Sequence, residues 1–280
     1  MLNSPHNKVF RWPIIQRSVY DSPSTDYCSV AHRVPCAFRL HARAECTGRR
    51  KQSGRDRGPV ADGNRPDADK LRDANRKPAQ TLEFLGVKPG EQVAELLPGG
   101  GYFTRIFSKA VGPSGHVYAL VPERPANAPA DMPDLAAKVK AIAADPNYPN
   151  VTVVIQPLNK LMTPAPVDLV FTAQNYHDLH NFPVDVVAFN KTILASLKPG
   201  GLYVVLDHSA TAGSLLQATK TLHRIDADAV KQEVTAAGFE FVGASDVLAN
   251  PGDSRTAMVF DPSIRGKTDQ FILKFRKPKK

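Results

Sequence analysis

Two short stretches hold most of the side chains in this sequence that could do acid–base chemistry: "QNYHDLH" at 174–180 and "LDHS" at 206–209. Together they supply His177, Asp178, His180, Asp207 and His208, a large share of the five histidines that follow residue 60. An imidazole beside a carboxylate can accept a proton near neutral pH, and the carboxylate selects which ring nitrogen stays free. His177 is the expected general base, with Asp178 or Asp207 orienting an imidazole and His208 as the next candidate. Tyr176 is the expected wall of an acceptor pocket. The same residue types could ligate a divalent ion, but His177 and His180 lie three apart in loop-like sequence, and a metal-free site is the expectation. Each residue alone also has a plain structural role, as a loop histidine or an Asp cap. What favours function is that two sequence-distant segments should converge.

A third stretch, "AELLPGGGYFT" at 94–104, places three glycines directly after an apolar run. Such a turn lets backbone approach a ligand closely. A nucleoside-triphosphate loop would need Gly-Lys-Ser/Thr, and here Gly101 is followed by Tyr-Phe-Thr. A dinucleotide fingerprint would use Gly99 and Gly101 but meets Thr104 where its third glycine belongs. A side chain at Gly101 would be expected to fill space the ligand needs.

The elements that must position these residues alternate. "RPDADKLRDANRK" and "AQTLEFLGV" read as helices, "KPGEQVAELL" as turn and strand, and "YFTRIFSKAVG" as a helix. "GHVYALVPE", "NVTVVIQP", "VDLVFTAQNYHD" and "KPGGLYVVLDH" read as strands, with helices "DLAAKVKAIAAD" and "FPVDVVAFNKTILASL" between them. "IDADAVKQEVTAAGF" is a helix with Asp226 at its N-cap and Gly238 closing it. "FEFVGASDVL" and "DQFILKFRKP" read as a closing strand pair. The expected fold is α/β: a doubly wound, Rossmann-like, seven-stranded and mostly parallel sheet with a C-terminal antiparallel hairpin. Its ligand should lie beyond the carboxyl ends of the strands.

With Glu95 on the strand and Gly99 and Gly101 in the turn, "VAELLPGGGYFT" resembles motif I of class I S-adenosylmethionine-dependent methyltransferases. The resemblance covers roughly residues 65–280, including the "LKPGG" turn, and the tail elements resemble a bacterial subgroup of unsettled substrate. It implies S-adenosylmethionine as cofactor and methyl transfer to a small-molecule acceptor. By the same resemblance the cofactor-binding residues are Glu95, Gly99, Gly100, Gly101, Tyr102, Glu123, Asn159 and Gln174. Glu123 substitutes for the ribose-binding acid, whose place falls near Val121, and Asn159 lies where the family contacts the adenine amine. Leu97 stands where the family has its first glycine, and the "NPPY"-like motif of amino-group methyltransferases is absent at 174–177. The competing functions are a nicotinamide-dependent oxidoreductase and a non-catalytic S-adenosylmethionine-binding protein.

Net charge is +9, but residues 1–60 hold 11 Lys/Arg against 4 Asp/Glu and the remainder 25 against 23. The basic excess is thus local, and no nucleic-acid partner is expected for the body. Residues 1–60 also carry Cys28, Cys36, Cys46 and Trp12 without apolar periodicity. They are expected to form a disordered or loosely attached segment, with 61–280 as the methyltransferase domain. No apolar run reaches the ~20 residues of a membrane span. The compartment is open: cytosol by default for this N-terminus, periplasm if the true start lies elsewhere. The oligomeric state is equally open.

Overall fold

The computed structural model describes residues 58–280, apart from 126, 127 and 130. The expectations for the segment before residue 58, its three cysteines included, lie outside the described residues.

Seven strands form one sheet in the order β3-β2-β1-β4-β5-β7-β6. They are β1 (Gln92–Leu96), β2 (His116–Pro122), β3 (Val151–Gln156), β4 (Val167–Ala173), β5 (Leu197–His208), β6 (Glu240–Ser245) and β7 (Gln270–Arg276). The first five run parallel, and β7 is antiparallel to both β5 and β6. Four of the five residues of β1 are buried, as a central strand covered on both faces requires.

The helices are α1 (Asp67–Lys70), α2 (Asp73–Arg76), α3 (Pro78–Leu85), α4 (Tyr102–Val111), α5 (Ala137–Ala143), α6 (Val186–Ser196) and α7 (Ala227–Ala236). One core gathers α4 and α5 on one face of the sheet around Phe103, Ile106, Phe107, Val139 and Phe171. The other gathers α6 and α7 around Phe189, Ile193, Val230, Val234 and Tyr203. Asp185 caps α6 by accepting from Ala188 N at 3.0 Å, and Asp226 caps α7 by accepting from Asp228 N at 3.0 Å. Among the described residues no helix is long and apolar enough to cross a membrane.

Three elements differ from their sequence expectations. The helix expected across 65–77 is two single turns, α1 and α2, whose charges pair within the segment, Arg65 with Asp73, and outside it, Asp69 with Arg105. The strand expected to run into "QNYHD" stops at Ala173. Gln174 takes φ 63°, which ends extended backbone, and a 3₁₀ turn over Tyr176–Asn181 follows. The closing strands are antiparallel, but residues 246–269 separate them, so they form no tight hairpin.

Candidate active site

The turn after β1 is shaped by backbone. Leu97 (φ 52°), Gly99 (φ 56°) and Gly101 (φ 74°) all lie in the left-handed region. Leu97 therefore adopts the conformation for which glycine is usually used, and the missing first glycine leaves the turn's path intact. Its carbonyl accepts from Asn175 Nδ2 at 3.1 Å, and the same amide donates to Ala173 O at 2.7 Å, tying the ends of β1 and β4 together. Gly99 and Gly100 are exposed, with open space where a Cβ would stand. Gly101 is not: a Cβ there would overlap Ile142 Cδ1 and touch Val139 of α5. The lack of a side chain at Gly101 serves packing against α5.

The Tyr102 side chain packs against α2. Its hydroxyl donates to Asp73 Oδ1 at 2.6 Å, and the guanidiniums of Arg65, Arg72 and Arg76 lie within 5.3 Å of its ring centre. Glu95 is buried under the turn, where its carboxylate accepts from Thr104 Oγ1 at 2.5 Å. Burial pushes this carboxyl from 4.5 up to about 8, against the pull of Thr104, Arg76 and Arg105. Thr104, which displaces the third dinucleotide glycine, thus has a partner of its own. Glu123 and Asn159 are exposed near the carboxyl ends of β2 and β3, while Val121 is core.

Arg76 was missed by sequence reading. Its Nη2 donates to Gln174 Oε1 at 2.5 Å, and Gln174 Nε2 donates to Gln270 Oε1 at 2.9 Å. Burial, with Arg72 adding to it, lowers the guanidinium from 12.5 to about 10. Among the described residues no carboxylate lies within ion-pair distance of Arg76. Only its setting gives it away, since the sequence around it reads as one more charged helix.

At the ends of β4 and β5 the two histidine-bearing segments do converge. Asp207, fully buried, accepts from His177 N (2.8 Å), His208 N (2.7 Å) and the His177 ring at Nδ1 (2.8 Å). His177 Nδ1 therefore carries the proton, and Nε2 is the free nitrogen. Burial disfavours the His177 cation, but Asp207 and then Asp178 outweigh it, and its pKa rises. His208 moves the other way. Burial lowers its pKa well below the ordinary value, with His177 and Arg224 adding to the effect, and its Nδ1 pairs with Thr268 Oγ1 at 2.7 Å. Two histidines whose ring centres are 6.1 Å apart are thus pushed toward opposite charge states.

His180 does not join them. Its Nε2 lies 3.3 Å from Glu233 on α7, beside Tyr176, whose hydroxyl donates to Glu233 Oε2 at 3.0 Å. Tyr176 is accordingly held in the α6–α7 core. The cluster gains His223 instead, from the connection between β5 and α7. His223 sits at φ 55° with its ring 5.5 Å from that of His177. Next to it, buried Arg224 makes a two-pronged bridge to Asp253 (2.8 and 3.1 Å), and Asp253 Oδ2 also accepts from Asp269 N at 2.7 Å. This bridge fastens the 209–226 segment to the long β6–β7 connection. Beside it a cavity of about 590 Å³ opens between Ser209, Asp226, Ser245, Arg255 and Gln270.

No protein-family model matches the chain. It is 30% identical over 129 residues to the protein-L-isoaspartate O-methyltransferase of Ignicoccus hospitalis, a match covering 45% of this chain and 52% of that protein. The chain spans about half the length of the curated relatives it matches. Among solved structures, a SAM-dependent methyltransferase from Aquifex aeolicus aligns with a TM-score of 0.52 at 20% identity, over 74% of this chain and 95% of its own. The [4+2]-cyclase SpnF aligns with a TM-score of 0.52 at 18% identity, over 75% and 81%. A dinucleotide fold would continue its sheet past β5 with a parallel strand, whereas here antiparallel β7 follows. In sheet order, and in the glycine turn at its switch point, the chain has the fold of the class I S-adenosylmethionine-dependent methyltransferases.

Proposed function

We propose that the protein transfers a methyl group from S-adenosylmethionine to a small-molecule acceptor. The observation that carries this reading is the turn after β1. Gly99 and Gly100 offer open, exposed backbone at the point where the sheet order reverses between β1 and β4. Fold alone would not suffice, since a [4+2]-cyclase shares it. Bound S-adenosylmethionine supplies an electrophilic sulfonium methyl. Arg76, a guanidinium held among the described residues by a neutral amide and ring faces, suits the methionine carboxylate, because charge-assisted fork contacts are the strong ones. Glu123 and Asn159 are assigned to the ribose and adenine side.

The acceptor belongs at the His177 end. Asp207 fixes the ring so that Nε2 is the nitrogen offered, and His208 stays neutral beside it. Asp178 completes this face. A second reading, an isoaspartyl carboxylate in a protein acceptor, draws support from the similarity to protein-L-isoaspartate methyltransferases.

Calorimetry with S-adenosylhomocysteine and, separately, NAD tests the cofactor. Saturable binding of the first and none of the second is expected. The reverse result would overturn the reading. Methyl transfer to an isoaspartyl peptide, compared with transfer to a pool of small metabolites, then decides between acceptors.

A further inference from the structure

His177 Nε2 lies 3.4 Å from Asp178 Oδ1, and the same oxygen lies 3.4 Å from His223 Nδ1. All three atoms fall within 4.8 Å of one another. Neither contact is made as a hydrogen bond, and among the described residues the buried His223 Nδ1 has no hydrogen-bond partner. The reason is visible at Asp207. By accepting a hydrogen bond from Nδ1 of His177, it leaves the lone pair of the neutral ring's Nε2 facing a carboxylate oxygen. With Nε2 of His177 and Nδ1 of His223 unprotonated, three acceptors face one another.

A proton relieves one such pair at a time. A divalent cation relieves all three at once. For metal–ligand bonds of about 2.1 Å, neighbouring donors of a tetrahedral site stand about 3.4 Å apart. Two imidazoles and one carboxylate suit zinc, cobalt, manganese or ferrous iron, and leave positions open for other ligands. The supports around the donors are those of a built site. Asp207 orients His177 as an outer carboxylate orients a ligating histidine. Asn181 Nδ2 donates to Asp178 Oδ1 at 3.3 Å, and Phe260 packs 5.0 Å from the His223 ring. The Arg224–Asp253 bridge holds His223 at a positive φ that a histidine would otherwise seldom adopt.

We infer that His177, Asp178 and His223 form a divalent-cation site at the acceptor end of the cleft. Its role rests on the methyltransferase reading, while the site itself stands on the geometry of the three donors. With the ion in place His177 is a ligand rather than a base, and an acceptor bearing a metal-ligating oxygen is the class that fits the open positions. Ligation lowers the pKa of such a hydroxyl, and its proton passes to water. The oxyanion forms the new O–CH₃ bond as the S–CH₃ bond breaks, and the sulfur keeps that electron pair in S-adenosylhomocysteine.

The test uses the full chain, freed of metal with chelator and desalted, and titrated with Co²⁺ alone by calorimetry and visible absorption. One equivalent should bind and give the ligand-field bands of a nitrogen- and oxygen-ligated ion. His223→Asn, chosen because asparagine tolerates positive φ, and Asp178→Asn should each weaken binding at least ~10-fold. Asp207→Asn, which leaves the ligands in place, should weaken it ~10–100-fold. S-adenosylhomocysteine titrations of the same samples should match wild type. Co²⁺ that binds wild type and His223→Asn equally, as it would at the N-terminal cysteines, overturns the site, and so does no binding at all. Co²⁺ binding without S-adenosylhomocysteine binding leaves the site standing and removes the methyltransferase reading.

Discussion

The two ends of the proposed site, for cofactor and for acceptor, are built by different means. The cofactor end is one contiguous stretch of backbone, in which a buried strand runs into a turn at Leu97, Gly99 and Gly101 whose positive φ values set its shape. The acceptor end is assembled from side chains on the 3₁₀ turn at Tyr176–Asn181, the tip of β5, the 209–226 segment and the β6–β7 connection. Buried polar contacts hold these pieces together: the Asp207 carboxylate with its three donors, and the Arg224–Asp253 bridge. A backbone-built site tolerates side-chain change where its glycines face solvent. A site built from side chains fails when one buried partner is removed.

The largest effect is expected on turnover. His177→Ala should lower it by about 10²–10⁴-fold, the usual cost of removing a proton acceptor or its equivalent, with little change in S-adenosylhomocysteine affinity. Steady-state kinetics beside calorimetry reads both. A variant that lost affinity rather than turnover would erase the division between the two ends. For stability, Asp253→Ala should cost about 3–5 kcal/mol, because it strands the Arg224 guanidinium in the interior. Urea unfolding would measure it. A loss below 1 kcal/mol would mean that the bridge is not what holds the acceptor end.

This division also explains what could be read in advance. The sheet, its mixed closing strands, the glycine turn and the α7 cap at Asp226 follow from local patterns, and such patterns survive in a linear chain. His177, Asp178 and His208 were legible as residue types at strand ends. His223 was not, because "TLHRID" carries no period or motif, and its place depends on Arg224 finding Asp253 across 29 residues. Gly101 and Tyr102 show what a motif leaves unsaid. A motif names positions, but Ile142 and Asp73 decide where those positions face. Arg76 escaped for the same reason, since only folding brings it to Gln174.

Glu95 sharpens the contrast from beneath the turn. Its folded pKa lies above the unfolded one, at about 8 against 4.5. The folded chain therefore keeps a proton that the unfolded chain gives up. Stability from this group is full below about pH 4.5, falls as pH rises toward 8, and is flat beyond. The fall should be on the order of a few kcal/mol, and Glu95→Gln should flatten it. Denaturant midpoints at pH 5, 7 and 9 test the sign. A wild type that gained stability over this range relative to Glu95→Gln would show Glu95 ionised and held by Arg76 or Arg105.

The glycines make the finest cut, because neighbours in the same turn should respond differently. Gly101→Val drives a branched side chain into Ile142 at a φ of 74°. It should destabilise by about 1–3 kcal/mol through overpacking, with further strain from the backbone. Gly100 has an ordinary φ and nothing within 4 Å of an added Cβ. Gly100→Ala should therefore leave stability within about 0.5 kcal/mol of wild type, as surface substitutions usually do. Its methyl group would nevertheless stand where the proposed cofactor approaches the backbone. A folded Gly100→Ala with weakened S-adenosylhomocysteine binding would place the ligand over Gly99 and Gly100, apart from the packing role of Gly101. If Gly100→Ala bound like wild type, the open face of the turn would border no ligand. Cofactor recognition would then have to rest on side chains such as Arg76, and the cofactor end would be built by the same means as the acceptor end.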